Sequence, residues 1–202
     1  MPPMLVTREY RRDRAVLYAR RYAFSQNPLF GDFRLLGGNC TNFVSQCLYA
    51  GCCRMNFRET FGWYYRSMQD RTPSWTGVEY FKNFLLENEG VGPFGSLTDA
   101  GDVTEGDVIQ IGREDRGYYH AMLVVGRRGG DLLVAAQTDD AYERALSTYT
   151  YDFARFLRVL GVRHELYTAQ NCFWSVYNGV ALPADPDADA ASDRAGGLSR
   201  ES

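Results

Sequence analysis

Two residues stand out for the chemistry that their types and settings allow, Cys40 and His120. Cys40 opens the run CTNFVSQCLYAG, in which Phe43, Val44, Cys47 and Leu48 recur at i, i+3, i+4 spacing and Gly51 is the expected stop. That spacing puts Cys40 in the first turn of a mostly buried helix, behind Gly37 and Gly38, two residues that permit close approach to the backbone. A helix N-terminus carries free N–H groups and a partial positive charge, and both favour the nucleophilic thiolate. The same N–H groups can bind the oxyanion formed when the sulfur attacks a carbonyl. His120 interrupts the apolar, strand-like run YYHAMLVVG, where a base would face such a thiol and complete a nucleophile–base pair. Packing is the competing account of Cys40, because cysteine is among the most buried residue types. Cys47, deeper in the same helix, lacks a helix end to activate it. Cys52, Cys53 and Cys172 are read as structural, and His164, flanked by charge in GVRHELY, as a surface residue.

The elements that must position this pair follow from periodicity. An amphipathic helix is expected in TREYRRDRAVLYARRYAFSQNP, with Tyr10, Ala15, Leu17, Tyr18, Tyr22 and Phe24 on its apolar stripe and Asn27-Pro28 at its end. A third helix is expected after Ser74 as N-cap, carrying Val78, Phe81 and Leu85, with Tyr80 and Phe84, up to Asn88 and Gly90. The stretch GVGPFGSLTDAGDVTEG reads as turns. The second half then changes period, and VIQIG, YYHAMLVVG, DLLVAAQ and ARFLRVLG read as short strands, the middle two joined by an RRGG hairpin. Helices followed by antiparallel strands make an α+β domain, here over residues 7–182. The tail, residues 183–202, has almost no large apolar side chain and reads as disordered.

Composition excludes several classes. The 202 residues are 45% hydrophobic and 23% charged, a globular balance, and a chain of this length buries roughly two-thirds of its unfolded surface without staples. A formal charge of −3 and a pI near 5.5 argue against a nucleic-acid partner. No apolar run approaches the ~18 residues of a membrane span. Only one of the 22 basic residues is a lysine, Lys82, which disfavours lysine chemistry. The five cysteines are odd in number and clustered, poor evidence for a disulfide framework, and their spacing does not suit zinc, so no metal or organic cofactor is implied. The charged start MPPMLVTREYRRDRA lacks the greasy core of a signal peptide, so a cytoplasmic location is expected, with export by another route as the alternative.

The run GGNCTNFVSQCLYAG resembles the nucleophile helix of the putative amidase domain family within the papain-like, NlpC/CHAP-type superfamily of cysteine hydrolases. PSWTGVEYF, VTEGDVIQI and YYHAMLVVG are similar, in the same order, to the family's later segments, and the resemblance covers roughly residues 8–160. It implies a papain-like fold in which Cys40 attacks an amide, His120 moves the proton and a thioester forms on Cys40. It further implies a third polar residue on the strand after His120. Gln137 stands there where close relatives carry His, and Asp139, on the same strand face if the strand continues, is the rival. Asn39 occupies a position where relatives carry Asp or Gln. Its amide would serve either as an oxyanion donor beside the Cys40 N–H or as the helix N-cap. Trp75 and Tyr119, inside the matched segments, are the candidate substrate-binding aromatics. The resemblance implies a peptide or peptidoglycan-type amide as substrate. Acyl transfer through the same pair and a catalytically silent binding module of this fold are the alternatives.

Overall fold

The short β-branched and aromatic runs of the second half pair as strands of one antiparallel sheet, and the computed structural model describes residues 4–166 and 171–183 of the chain. The strands are β1 (Leu5–Arg8), β2 (Gly92–Thr98), β3 (Val108–Arg113), β4 (Gly117–Arg128), β5 (Asp131–Ala136), β6 (Ala141–Ala145) and β7 (Phe153–Glu165). β6, β5, β4, β3 and β7 pair in that order, and β1 and β2 each pair with β7 as well, β2 along residues 156–163. The helices are α1 (Arg12–Tyr22), α2 (Cys40–Cys52), α3 (Pro73–Thr76), α4 (Val78–Glu87) and α5 (Phe173–Tyr177). The chain is thus α+β, with helices packed on an antiparallel sheet.

Strand alternation sorts the apolar side chains onto two faces. Val108, Ala121, Leu123, Leu133, Ala135 and Leu157 face the helices and join their aromatic core. Ile109, Ile111, Met122, Val124, Leu132, Val134 and Ala136 point the other way, under Val103, Leu146 and the half-buried Tyr119, Tyr149 and Tyr151. The hairpin between β4 and β5 turns on Gly129 and Gly130, both at positive φ as a two-residue turn of this twist requires.

Helix α2 packs against the sheet and against α1 and α3 with every residue buried, so its polar side chains must find partners inside. Tyr18 donates to Gln46 Oε1 at 2.7 Å, and the Trp63 indole donates to Ser45 Oγ at 3.0 Å. The Trp75 indole donates to Asn42 Oδ1 at 2.9 Å. Gly51 does not stop this helix. It lies inside the last turn, where a Cβ would sit 2.4 Å from the Tyr10 ring, and the helix ends at Cys53 in the left-handed region.

Other expectations need correction. Leu17 and Phe24 are exposed, because the buried stripe of α1 is Ala15, Tyr18, Ala19 and Tyr22. The third helix is two, α3 starting after Thr72 with Pro73 in its first turn and α4 starting after Gly77, so Ser74 is not the N-cap and Tyr80 is exposed. β1, β2 and β6 form where no strand was expected. His164 is buried on β7 opposite Val6, with burial and the nearby Arg8 and Arg54 holding its pKa down. Residues 184–202, most of the expected tail, lie outside the described residues. Among the described residues, no helix is long and apolar enough to cross a membrane.

The cysteines also depart from expectation, since Cys53 and Cys172 form a disulfide that ties the end of α2 to the start of α5 across 119 residues. The pairing was not legible in the spacing, because Cys172 stands far from the cluster that holds the other four. A cross-link closing so long a loop restricts the unfolded chain, and removing one costs about 2–5 kcal/mol. The Cys53→Ser/Cys172→Ser variant is therefore expected to melt well below the parent in thermal denaturation. Thiol titration of the unfolded, unreduced parent is expected to find three thiols, those of Cys40, Cys47 and Cys52.

Candidate active site

Cys40 occupies the first turn of α2, after Gly37 and Gly38, which both take positive φ as the chain turns into the helix. Its sulfur points at the edge of β4. The Val124 N–H donates to Asp107 and the Val124 carbonyl accepts from Gly106, so the opposite edge of β4 is the one offered to β5. β5 pairs with that edge only from Leu123 onward, leaving residues 119–121 unpaired by it. The Cys40 sulfur sits against this free stretch, 3.9 Å from the Tyr119 carbonyl oxygen, with the Ala121 N–H oriented to favour a thiolate. The two main-chain groups that meet the sulfur therefore flank His120.

The pair is buried and neutral. Burial pushes the Cys40 thiol above its ordinary range, against the opposing pull of the Ala121 N–H, the Thr41 hydroxyl and the N–H groups of Thr41 and Cys40. The expected low pKa of Cys40 is thus not found, because desolvation outweighs the helix end. Cys47 and Cys52 are pushed up as well, Cys47 far up and Cys52 to about 12, by burial that outweighs the main-chain N–H groups beside them and, for Cys52, the nearby Arg54 charge. Burial also holds His120 down to about 4, with Asp139 raising it and Arg144 lowering it. No hydrogen bond joins His120 to Cys40, and Nε2 of His120 is buried without a partner. The expected Cys–His hydrogen bond is therefore not made in this structure.

Strand alternation explains the arrangement of the remaining candidates. His120 shares the face of Met122 and Val124, away from the helices, and its ring lies 6.0 Å from that of Tyr149. Gln137 follows Ala136 and points to the helix face, where its amide is used up. It accepts from Asn39 Nδ2 and donates to the carbonyls of Tyr22 at 2.6 Å and Ser25 at 3.1 Å. It makes no contact with His120, and the reading of Gln137 as the orienting residue is not supported by its bonds. β5 ends at Ala136 and Thr138 adopts φ 87°, so the strand does not continue and Asp139 does not share the face of Gln137. Asp139 instead lies near enough to raise the His120 pKa, while its carboxylate accepts from Arg144 Nη1 at 2.6 Å.

Asn39 stands at the N-cap position of α2, where its carbonyl accepts from the Phe43 N–H at 2.9 Å, but it does not cap through its side chain. Its side chain makes no helix-capping bond and is wholly buried. Oδ1 accepts from the Phe33 N–H and from Asn42, Nδ2 donates to Gln137, and the Asn39 N–H donates to Thr138 Oγ1 at 2.6 Å. It clasps the helix start to the turn after β5. Trp75 is likewise not a groove residue, being fully buried between Phe30, Tyr65 and Trp63. Tyr119 is half-buried at the site, with Arg116 over its ring at 3.9 Å. Arg144 and Tyr149, the neighbours of His120 that the sequence reading missed, lie on β6 and just beyond it, where no strand was expected. Two clefts lie elsewhere, one beside Phe61, Tyr80 and Glu87 and one beside Arg12, Glu105 and Arg127. Among the described residues, no group of three His, Cys, Asp or Glu side chains is disposed to hold a metal.

A family model described as "Putative amidase domain" matches residues 9–160, a span that contains Cys40, His120, Asp139 and Tyr149. The chain is 33% identical over 140 residues to the protein YhbB of Bacillus subtilis strain 168, which is described as uncharacterized. The match covers 67% of this chain and 44% of YhbB, so the chain spans less than half the length of that relative. No solved structure matches it.

The His120 pKa carries a sign for stability. The unfolded imidazole binds a proton near 6.5 and the folded one only near 4, so stability is retained above 6.5 and lost as the pH falls toward 4. The difference corresponds to about 3 kcal/mol, and His164 adds to it with the same sign. Thermal melts of the His120→Gln variant are expected to fall less steeply between pH 6.5 and 4 than those of the parent.

Proposed function

The chain belongs to the family described as "Putative amidase domain", and from that membership we propose that it is a cysteine-dependent amidase of papain-like architecture acting through Cys40. The observation that carries this reading is the seating of the Cys40 sulfur at a helix N-terminus, against the two main-chain groups that flank His120. Since thiol and imidazole are both neutral at rest, the proton moves as the bond forms rather than beforehand. The thiol proton passes to His120 while the sulfur adds to the amide carbonyl carbon. The N–H groups of Cys40 and Thr41 meet the oxyanion at the helix end. His120 then returns the proton to the leaving amine as the C–N bond breaks, which leaves a thioester on Cys40. Water adds to the thioester with His120 again taking a proton, and the carboxylate product leaves as the thiol re-forms.

Asp139 supplies the negative charge that makes protonating His120 less costly, and Arg144 holds that carboxylate in position. Gln137 and Asn39 act one step back, by fixing the start of α2. The substrate in this reading is a peptide or peptidoglycan-type amide. The Cys53–Cys172 disulfide favours export over a cytoplasmic location, because disulfides persist in oxidising compartments.

Steady-state hydrolysis of a peptide amide library tests the reading. Cys40→Ala and His120→Ala are expected to lose at least about 1000-fold in kcat/KM while still folding. Asp139→Asn is expected to lose about tenfold, because the carboxylate that raises the His120 pKa is gone. Gln137→Ala is expected to lower the melting temperature, by leaving buried partners unpaired, with the pH profile unchanged. The acid limb of kcat/KM is expected near pH 4, where His120 titrates, rather than near neutrality. Full activity of Cys40→Ala would refute the assignment.

A further inference from the structure

Buried polar groups without a partner are rare in folded proteins and call for an explanation, a catalytic role among them. Two of them here are neighbours on the face of the sheet away from the helices, Nε2 of His120 and the hydroxyl of Tyr149. Their rings stand 6.0 Å apart, centre to centre, at an interplanar angle of 34°. Tyr149 caps the short 3-10 turn Leu146–Thr148 that follows β6, and this turn brings its ring back over the apolar side chains of β4. The ring is half-buried and its oxygen fully so. Arg144 covers the ring at 4.0 Å and pulls the phenol pKa down against the burial that raises it, although no hydrogen bond of good geometry reaches the oxygen, and Asp139 pairs with Arg144.

We propose that Tyr149 is the positioning residue of His120: its phenolic oxygen accepts the Nε2–H of the imidazole, leaving the Nδ1 lone pair to take the proton of the Cys40 thiol. The proposal rests on the reading of Cys40 and His120 as nucleophile and base. The other candidates for the role are already committed. Gln137 is on the opposite face with its amide saturated, and the Asp139 carboxylate is bound to Arg144. A phenol hydroxyl both accepts and donates, so it can hold either nitrogen state of the imidazole while one tautomer is selected. The charged groups facing His120 are Asp139 from the turn after β5 and Arg144 from β6, with the neutral Cys40 thiol on α2. Asp139 acts through space as a charge, and the Tyr149 hydroxyl is the neighbouring group free to bond Nε2, a bond not made in this structure. With the oxygen as acceptor, the imidazolium is favoured over the neutral ring, which lightens the burden of burial as the proton arrives.

Tyr149→Phe tests this, since it removes one oxygen and keeps the ring beneath Arg144. Deleting an unpartnered buried hydroxyl is expected to leave the melting temperature at or above that of the parent. Peptide-amide hydrolysis is expected to show kcat lowered about tenfold, the worth of one hydrogen bond to a charged group, with KM unchanged. The acid limb is expected to move to lower pH, because the protonated imidazole has lost its acceptor. Nitrogen-15 spectra of His120 in Cys40→Ala, with and without Tyr149→Phe, are expected to show the Nε2–H tautomer depleted when the hydroxyl is gone. A variant with the parent's acid limb and tautomer ratio overturns the proposal, whether or not kcat falls, since a fall alone would be structural. If Cys40→Ala itself turns over the amide, the underlying assignment fails, yet the tautomer measurement still decides whether Tyr149 holds His120.

Discussion

The complete burial of α2 is the constraint on which the site depends. A helix with no solvent face must bond its polar side chains internally, and Asn42, Ser45 and Gln46 are each tied to an aromatic of a neighbouring element, although Nε2 of Gln46 is left without a partner. These bonds fix the rotation and axial position of α2, and with them the point at which its first residue meets the sheet. The disulfide at its far end and the clasp of Asn39 to Gln137 and Thr138 at its near end hold it along its length. Cys40 has a single place to go, the free edge of β4 beside His120.

That same burial determines the resting chemistry. A helix N-terminus lowers a thiol pKa when the thiol is accessible, but here desolvation is the larger effect, and it acts in opposite directions on an acid and a base. The thiol is held protonated and the imidazole deprotonated, a combination in which no charge is buried until substrate arrives. In the proposed mechanism the tetrahedral oxyanion and the imidazolium would appear together in a setting of low polarity, where the N–H groups of the helix end and the Asp139 carboxylate would act more strongly than in water.

Legibility in the sequence followed physical locality. The period of α2 and its glycine-bounded start located Cys40, and the β4–β5 hairpin was readable because Gly129 and Gly130 suit a turn with positive φ at both positions. β2 was obscured by Gly92, Pro93 and Gly95, which an edge strand tolerates and a central one does not. β1 is four residues of mixed polarity whose partner, β7, lies more than 150 residues away. Gln137 was misjudged for a related reason. Position along a strand says how far a residue lies from its neighbour, but a one-residue offset reverses the face, and Thr138 ends the alternation that would have carried Asp139 with it. The aromatic motifs told less, since Trp75 turned inward to serve the polar side of α2 rather than a substrate.

Mass spectrometry of the intact protein during turnover tests the central claim most directly. Rapid acid quenching with excess peptide amide, followed by peptide mapping, would capture the covalent intermediate. The account predicts one acyl group per chain, carried by the peptide containing Cys40, present in the parent and absent at neutral pH in His120→Ala. Turnover with no adduct on Cys40, or an adduct that forms as fast without His120, would contradict it.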